Sequence, residues 1–188
     1  KHRTSHYLYY STNICYIKYM WKRILEICLI VLLIFAFLQY SPVMVVHLTG
    51  ESMKYTLHDS QYALVVRRPY THISRGDIVA AKVDVQQSWL ANVPQTNATI
   101  TIQVVKRVIG LPGEQVKVDN GVVYINGKPL EEPYVLLHDN TSAPTVVLGP
   151  DQYYVLGDNR VESLDSRIFG PIRIDQIDGK VVSNILNV

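Results

Sequence analysis

The chain has 188 residues, a length that fits one folded domain with an appendage. Its net charge of +2 is uneven, because residues 1–23 carry five Lys/Arg and no acid, whereas residues 43–188 hold 13 Lys/Arg against 15 Asp/Glu. A nucleic-acid-binding domain needs excess positive charge on its folded part, so this class of protein is excluded. Both cysteines precede residue 43, which excludes disulfides and thiolate metal sites from the rest of the chain.

An apolar run from Ile24 to Tyr40 predicts a transmembrane anchor. Its 17 residues would extend about 25 Å as a helix, at the short end for a bilayer. Apolar residues occur on every face of the run, which argues against a buried core helix, and Pro42 ends it. The basic N-terminal side predicts a single-pass protein of the cell membrane, with residues 1–23 in the cytoplasm and residues 43–188 outside.

A cleavable secretory signal is the alternative interpretation of the same segment. It would have a basic start and a 12-residue apolar core at 27–38, but the following QYSPVMVV lacks a small-x-small cleavage site. Residues 1–19 have no clear periodicity, and Met20 directly precedes Trp-Lys-Arg and the apolar run. We expect the native chain to begin at Met20, with residues 1–19 arising from upstream translation or being disordered.

Beyond Pro42 the helical periodicity disappears, and short β-branched runs bounded by turn residues predict strands. Asn-Gly pairs at 120–121 and 126–127 predict tight hairpins, and the polar patch 83–97 is expected to be a loop or weak hairpin. The predicted fold class is mostly β, an antiparallel β-sheet domain behind one N-terminal transmembrane helix. The predicted strands are 43–46, 62–66, 77–81, 99–109, 115–118, 122–125, 152–156, 172–174 and 179–185.

One lysine interrupts the apolar face of the strand predicted over residues 99–109, TITIQVVKRVI. Alternate residues of a strand share a face, so Lys106 is aligned with Ile100, Ile102, Val104 and Val108. A buried amine without a partner loses its charge because its pKa falls, and a neutral amine is a good general base. The alternatives are that Lys106 reaches solvent at the strand end or pairs with a carboxylate.

A candidate nucleophile for such a base is Ser52, in the stretch GESMKYTL at residues 50–57. A serine hydroxyl is a poor nucleophile until a neighbouring base takes its proton. Gly50 would let a substrate backbone approach, and backbone N–H groups of a turn can form an oxyanion pocket. Taken alone, this stretch is weak support, because a serine here could equally be a turn residue or a helix cap.

Four segments of the chain, in this order, resemble the motifs of the type I bacterial signal peptidases. The last of them is long and specific, and the resemblance covers the predicted anchor and nearly all of the domain. One anchor and a short connection between the third and fourth motifs are similar to the compact Gram-positive type. The segments are GESMKYTL (50–57), RGDIVAAK (75–82), KRVIGLPGE (106–114) and GDNRVESLDSRIFGPI (157–172).

The resemblance implies the catalytic roles. Ser52 would be the nucleophile, and Lys106 would be the general base that later activates the deacylating water. The backbone N–H of Ser52 would contribute to the oxyanion hole, and Ser163 would hydrogen-bond and orient the lysine amine. Some relatives have a serine donor two residues before the nucleophile; Gly50 occupies that position here.

The resemblance also implies supporting residues. Gly50 and Met53 would line the substrate cleft, and four charged residues would form a salt-bridge scaffold that fixes the active-site loops. Tyr55 replaces the proline that usually precedes the threonine of the first motif, and a proline would stiffen the turn after the nucleophile. The scaffold residues are Arg107, Asp158, Asp165 and Arg167.

The function predicted from these segments is a membrane-bound serine endopeptidase with a Ser-Lys dyad. It would remove N-terminal signal peptides from secreted preproteins, cutting after small residues at the −1 and −3 positions. The substrate would bind in an extended conformation as an added strand. Membrane lipid and the nearby export translocon are the other expected partners, and no cofactor, metal or nucleic acid is expected.

Three alternatives remain. A Ser-His-Asp triad would combine Ser52 with His58, Asp59 or His72, although isolated histidines in polar turns are usually solvated. A self-cleaving repressor of the SOS type shares the Ser-Lys chemistry but needs a helix-turn-helix, which the sequence does not contain. A non-catalytic, membrane-anchored binding module would retain the scaffold without needing Ser52 or Lys106.

Overall fold

A computed structural model describes residues 3–89 and 98–185. The chain divides into two compact units, residues 1–41 and 42–188. The first unit is a single helix, α1 (Arg3–Tyr40). No Gly or Pro occurs within α1, so no residue in it breaks the helix, and the helix ends two residues before Pro42.

Two sequence predictions concern α1. The backbone is helical from Arg3 onward. The expectation that the native chain begins at Met20, with residues 1–19 arising from upstream translation or being disordered, stays a prediction. Within the described ranges, no helix is both long enough and apolar enough to cross a membrane. The anchor predicted over residues 24–40 stays a prediction.

The second unit contains two antiparallel sheets and a short helix, α2 (Ser166–Phe169). The strands, in chain order, are β1 (Val43–His47), β2 (Tyr62–Arg67), β3 (Ile78–Gln86), β4 (Thr99–Gly110), β5 (Gln115–Asp119), β6 (Val122–Ile125), β7 (Lys128–Pro129), β8 (Ala143–Val147), β9 (Gln152–Leu156), β10 (Ile172–Arg173) and β11 (Ile177–Ile185). The larger sheet has the strand order β1-β2-β11-β3-β4-β9-β10, and the smaller sheet has the order β7-β6-β5-β8.

The antiparallel, mostly β fold class is confirmed, since the paired strands in the described residues all run antiparallel. Both Asn-Gly pairs form hairpin turns with positive φ at each residue, 47° and 79° at 120–121 and 51° and 78° at 126–127. The strand β8 was not predicted. It lies at a sheet edge and contains Pro144, which weakens the strand signal in the sequence.

The patch 83–97 was expected to be a loop or weak hairpin, and the loop interpretation is wrong over its first four residues. There β3 continues to Gln86, because Val83 and Val85 are buried and pair with Ile102 and Ile100 of β4. A 3-10 turn at Gln87–Trp89 follows, and residues 90–97 of the predicted loop lie outside the described residues.

Two features of the larger sheet position the functional residues. Strand β4 pairs with β3 from Thr99 to Arg107 but with β9 only from Arg107 onward, so the other edge of 99–106 has no partner strand among the described residues. Below the loop after β1 lies a core cluster that supports this loop, consisting of Val46, Leu48, Met53, Leu57, Ala63, Val65 and Ala80.

Candidate active site

The loop that connects β1 to β2 carries Ser52. It is closed at its base, where Leu48 N donates to the carbonyl of Gln61 over 2.7 Å, and its turns are formed within residues 51–57. Met53 is 4% exposed and packs into the core cluster, which ties the residue after Ser52 to the sheet. Gly50 has a φ of 92°, a conformation that glycine adopts without strain.

The hydroxyl of Ser52 meets the amine of Lys106 at the floor of this loop. The distance between Lys106 Nζ and Ser52 Oγ is 2.7 Å, and Nζ also donates to the carbonyl of Val105 over 3.1 Å. Burial along β4 alternates as the sequence pattern indicates, with Val104, Lys106 and Val108 buried. Lys106 is 4% exposed, so its amine is largely withdrawn from water.

Burial changes the acid–base chemistry of Lys106. It lowers the pKa of the amine from 10.5 to about 8, with Asp165 and Asp158 acting to raise this pKa and Arg167 acting to lower it. At pH 7 roughly a tenth of such amines are neutral, against roughly one in three thousand at the ordinary pKa. A neutral amine beside a hydroxyl can accept its proton, which is the requirement for a base-activated nucleophile.

Arg107 and Asp158 form one buried ion pair next to the serine loop. Arg107 Nε and Nη2 donate to the two carboxylate oxygens of Asp158 over 2.8 and 2.6 Å. Thr56, in the loop that carries Ser52, donates its hydroxyl to the same carboxylate over 2.6 Å. The guanidinium of Arg107 also lies 4.1 Å from the ring centre of Tyr134.

Arg167 and Asp165 form a second ion pair on the segment after β9. Asp165 accepts from Arg167 Nε over 2.9 Å, caps α2, and accepts from the backbone N–H of Gly157 over 3.1 Å. The four predicted scaffold residues therefore form two separate pairs, Arg107 with Asp158 and Arg167 with Asp165. Because each pair is buried, removing one partner would leave an uncompensated charge.

Sequence reasoning missed two further ion pairs that hold the same segment. Arg160 binds Glu132 through two hydrogen bonds of 3.1 and 2.6 Å, and Arg167 also binds Asp139 over 2.6 Å. Glu132 and Asp139 lie in the irregular segment between β7 and β8, which has no periodicity that would indicate a partner. The only sequence signal for the pair with Glu132 was Arg160 itself, within the GDNR segment.

The predicted hydrogen bond between Ser163 and Lys106 is not formed. Ser163 Oγ is buried and has no hydrogen-bond partner in the described part of the chain. It lies instead against Gly157, where a β-carbon would be only 2.2 Å from it. The donors of Lys106 are directed to Ser52 and Val105, so the orienting contact expected of Ser163 is supplied by other atoms.

The triad alternative is not supported by the contacts of its residues. Ser52 Oγ is bonded to Lys106, while the Asp59 carboxylate accepts from the backbone N–H of Gly50 over 2.6 Å, which lowers the pKa of Asp59. His58 lines the cleft, and its backbone N–H donates to Gln61 Oε1 over 3.2 Å. Within residues 3–89 and 98–185, no three His, Cys, Asp or Glu side chains are grouped as metal ligands would be.

A cleft of about 340 Å³ opens above Ser52 and Lys106. One wall is the end of β1 with the serine loop, including the predicted cleft residues Gly50 and Met53. The opposite wall is the segment 103–106 of β4, which lies within the unpaired edge. The cleft can therefore receive an extended chain whose reacting carbonyl reaches the serine hydroxyl.

Comparisons with known proteins agree with the sequence motifs. A family model described as signal peptidase, peptidase S26, matches residues 21–186. Signal peptidase I of Bacillus caldolyticus is 30% identical over 178 residues, 86% of this chain and 86% of the relative. Signal peptidase IB of Staphylococcus aureus strain COL is 37% identical over 150 residues, 70% of this chain and 72% of the relative.

Among solved structures, a signal peptidase I from Enterococcus faecalis V583 matches with a TM-score of 0.42 and 29% identity. It covers 60% of this chain and 98% of that one. The family model and the two sequence relatives confirm the resemblance identified from the four motifs.

Proposed function

Because the chain belongs to the signal peptidase family, peptidase S26, and is thus a serine endopeptidase that removes signal peptides, we propose that Ser52 and Lys106 carry out the hydrolysis as a Ser-Lys dyad. The observation that supports this proposal is the 2.7 Å distance between Lys106 Nζ and Ser52 Oγ in a buried setting. No other serine, lysine or histidine is needed for the proton transfers of acylation and deacylation.

Acylation begins from the neutral amine of Lys106. The amine takes the proton of Ser52 Oγ as this oxygen attacks the scissile carbonyl, and a tetrahedral oxyanion forms. When the intermediate collapses, the ammonium returns the proton to the leaving nitrogen, which becomes the N-terminus of the mature protein. The signal peptide remains attached to Ser52 through an ester bond.

Deacylation uses the same base. Lys106 takes a proton from a water molecule, the resulting hydroxide attacks the ester carbonyl, and the proton is returned to Ser52 Oγ. The products are the signal peptide with a free carboxylate and the regenerated hydroxyl. Burial of Lys106 serves both halves of the reaction, because it keeps a usable fraction of the amine neutral.

The backbone N–H of Ser52 is the proposed donor to the oxyanion. It donates no hydrogen bond within the described residues, so it is available to a substrate. Gly50 supplies no hydroxyl as a further donor. The direction in which this single N–H points is therefore important for the rate.

The preprotein would bind as an added strand along the unpaired edge at 99–106 of β4. Apolar side chains of Val46, Leu48, Val104 and Leu164 line the cleft. A cleft of this size favours small residues at the −1 and −3 positions, whose side chains would point toward its floor in an extended chain.

We further propose that residues 24–40 hold the protein in the cell membrane, with residues 1–23 in the cytoplasm and residues 43–188 outside. Support comes from the apolar side chains exposed on this part of α1, such as Leu25, Leu32 and Phe37, and from the basic N-terminal side. The partners would then be membrane lipid, secreted preproteins and the translocon that delivers them. A chain that leaves vesicles on alkaline extraction would contradict this proposal.

Cleavage of a preprotein by the purified full chain in detergent tests the catalytic proposal. The matched variants are Ser52→Ala, Lys106→Met, which nearly preserves side-chain volume, and Lys117→Ala as a control at an exposed lysine of the smaller sheet. We expect the parent and Lys117→Ala to cut after a small residue and the other two to be inactive. Undiminished cutting by Ser52→Ala or Lys106→Met would exclude the dyad, and preprotein binding without cutting would favour a binding module.

A further inference from the structure

Asn159 is buried directly behind the serine loop and contacts two successive peptide groups of it. Its backbone N–H donates to the carbonyl of Ser52 over 3.1 Å, and its side-chain Nδ2 donates to the carbonyl of Glu51 over 3.2 Å. Asn159 is 3% exposed and touches neither Ser52 Oγ nor Lys106 through any hydrogen bond. Its contacts thus concern only the backbone orientation of the loop.

The orientation of a carbonyl determines that of the following N–H. In a trans peptide group the C=O and N–H bonds point in opposite directions, and the bond between Glu51 and Ser52 is trans, since the described cis bond is Arg68–Pro69. The carbonyl of Glu51 points toward Asn159, so the N–H of Ser52 points away from Asn159. In the next peptide group, the carbonyl of Ser52 also points toward Asn159, so the N–H of Met53 points away from Asn159 as well.

A second observation indicates that stability alone does not explain this asparagine. Asn159 Oδ1 is buried and has no hydrogen-bond partner in the described part of the chain. A buried acceptor without a partner is unfavourable, so the amide is a poor choice for a purely structural position. Of the two polar atoms of this side-chain amide, Nδ2 is the one that forms a hydrogen bond, and it donates to the carbonyl of Glu51.

We propose that Asn159 is a positioning residue that fixes the oxyanion-binding N–H of Ser52 in its productive direction. This inference rests on the proposed function of Ser52. The side-chain donor holds the peptide group between Glu51 and Ser52, and the backbone donor of Asn159 holds the next one. Oxyanion donors act through preorganisation, so a loop that can rotate this peptide group loses transition-state binding more than substrate binding.

The test compares Asn159→Asp and Asn159→Ala with the parent as full chains in detergent. Both variants keep the backbone donor and lose Nδ2, and the aspartate has nearly the same shape. Ser166→Ala is the matched control, because Ser166 is also buried in this segment and its hydroxyl accepts from Val155 N over 3.0 Å without contacting residues 51 or 52. The measurements are kcat and KM on a preprotein, thermal unfolding, and inhibition by a peptide boronate.

The boronate reports the oxyanion directly, since Ser52 Oγ adds to boron and the tetrahedral adduct carries an oxygen in the oxyanion position. For both Asn159 variants we expect kcat to fall by roughly 10- to 100-fold, KM to change less than threefold, and boronate affinity to fall in parallel with kcat/KM. Ser166→Ala should unfold at a lower temperature with kcat unchanged. If Asn159→Ala does not fold, the inference is decided by comparing the isosteric Asn159→Asp with the parent in kcat and boronate affinity.

Two results would overturn the inference: unchanged kcat and boronate affinity in Asn159→Asp, or a raised KM with kcat preserved. Failure of the proposed function is a different result. It would appear as a parent chain that cuts no preprotein, or as a Ser52→Ala variant that cuts like the parent, irrespective of the Asn159 variants.

Discussion

Gly157 leaves no room for a side chain beside Ser52. A β-carbon at Gly157 would lie 2.6 Å from the carbonyl oxygen of Ser52 and 2.2 Å from Ser163 Oγ. The backbone of the segment after β9 therefore packs directly against the backbone of the serine loop. This close approach allows Asn159, two residues later, to reach the carbonyls of Glu51 and Ser52.

Replacing Gly157 with alanine should separate these two backbones. We expect a loss of about 1–3 kcal/mol in the free energy of unfolding, from overpacking, and a fall in kcat of at least tenfold. Gly149→Ala is the control, because there a β-carbon would meet only the flexible side chain of Gln152. Denaturant unfolding and preprotein cleavage measure both effects, and a Gly157→Ala enzyme as active as Gly149→Ala would disprove the close approach.

The lowered pKa of Lys106 predicts how activity depends on pH. Because the neutral amine is the active form, kcat/KM should rise about tenfold per pH unit from pH 6 to near 8 and level off above that value. The free enzyme's pKa is read from the profile measured with a preprotein at low concentration. Full activity at pH 5 would show that the base is another group.

The same pKa predicts how stability depends on pH. The folded pKa is about 8 and lies below the unfolded value near 10.5, so between these pH values the unfolded chain binds more protons and stability rises with pH. Below pH 8 the buried lysine costs on the order of 3 kcal/mol. Lys106→Met should therefore be more stable than the parent at pH 7, and the difference should shrink at pH 10 in urea unfolding.

The buried pair of Arg107 and Asp158 should respond to mutation unlike a surface pair. The side chains are 11% and 1% exposed, so Asp158→Asn leaves a guanidinium without its charge partner and should cost roughly 3 kcal/mol. In the exposed pair of Lys117 and Asp119, water screens the two charges, so the change Asp119→Asn should cost far less than Asp158→Asn. Equal losses in the two variants would refute this distinction.

Tyr55 occupies a left-handed backbone conformation, with φ at 76°. Proline cannot adopt this conformation because its ring holds φ near −65°, so Tyr55→Pro should shift Thr56 away from Asp158 and lower activity. Tyr55→Gly should relieve roughly 1 kcal/mol of strain and keep the rate. Thermal unfolding and cleavage assays on both variants measure this, and a fully active, stabilised Tyr55→Pro would mean that the loop adopts a different geometry.

Much of the framework could be predicted from the chain alone. The two-residue periodicity of 99–109 placed Lys106 among buried aliphatic side chains, and the Asn-Gly pairs located two hairpins. The sequence analysis was wrong at 83–86, where strand β3 continues in place of a loop, and it missed the strand β8. There the local sequence signal was outweighed by strand pairing, of residues 83–86 with β4, the next strand along the chain, and of β8 with β5.

The sequence by itself therefore determined the features that depend on residues close together in the chain. These are the face of β4 on which Lys106 lies, the turns, and the motifs whose order identifies the family. Only the tertiary structure decided which charges pair, that Ser163 faces Gly157 rather than Lys106, and that Asn159 lies behind the serine loop. These contacts join irregular segments far apart in the chain. Their side-chain directions follow from how the loops pack, and no local periodicity encodes them.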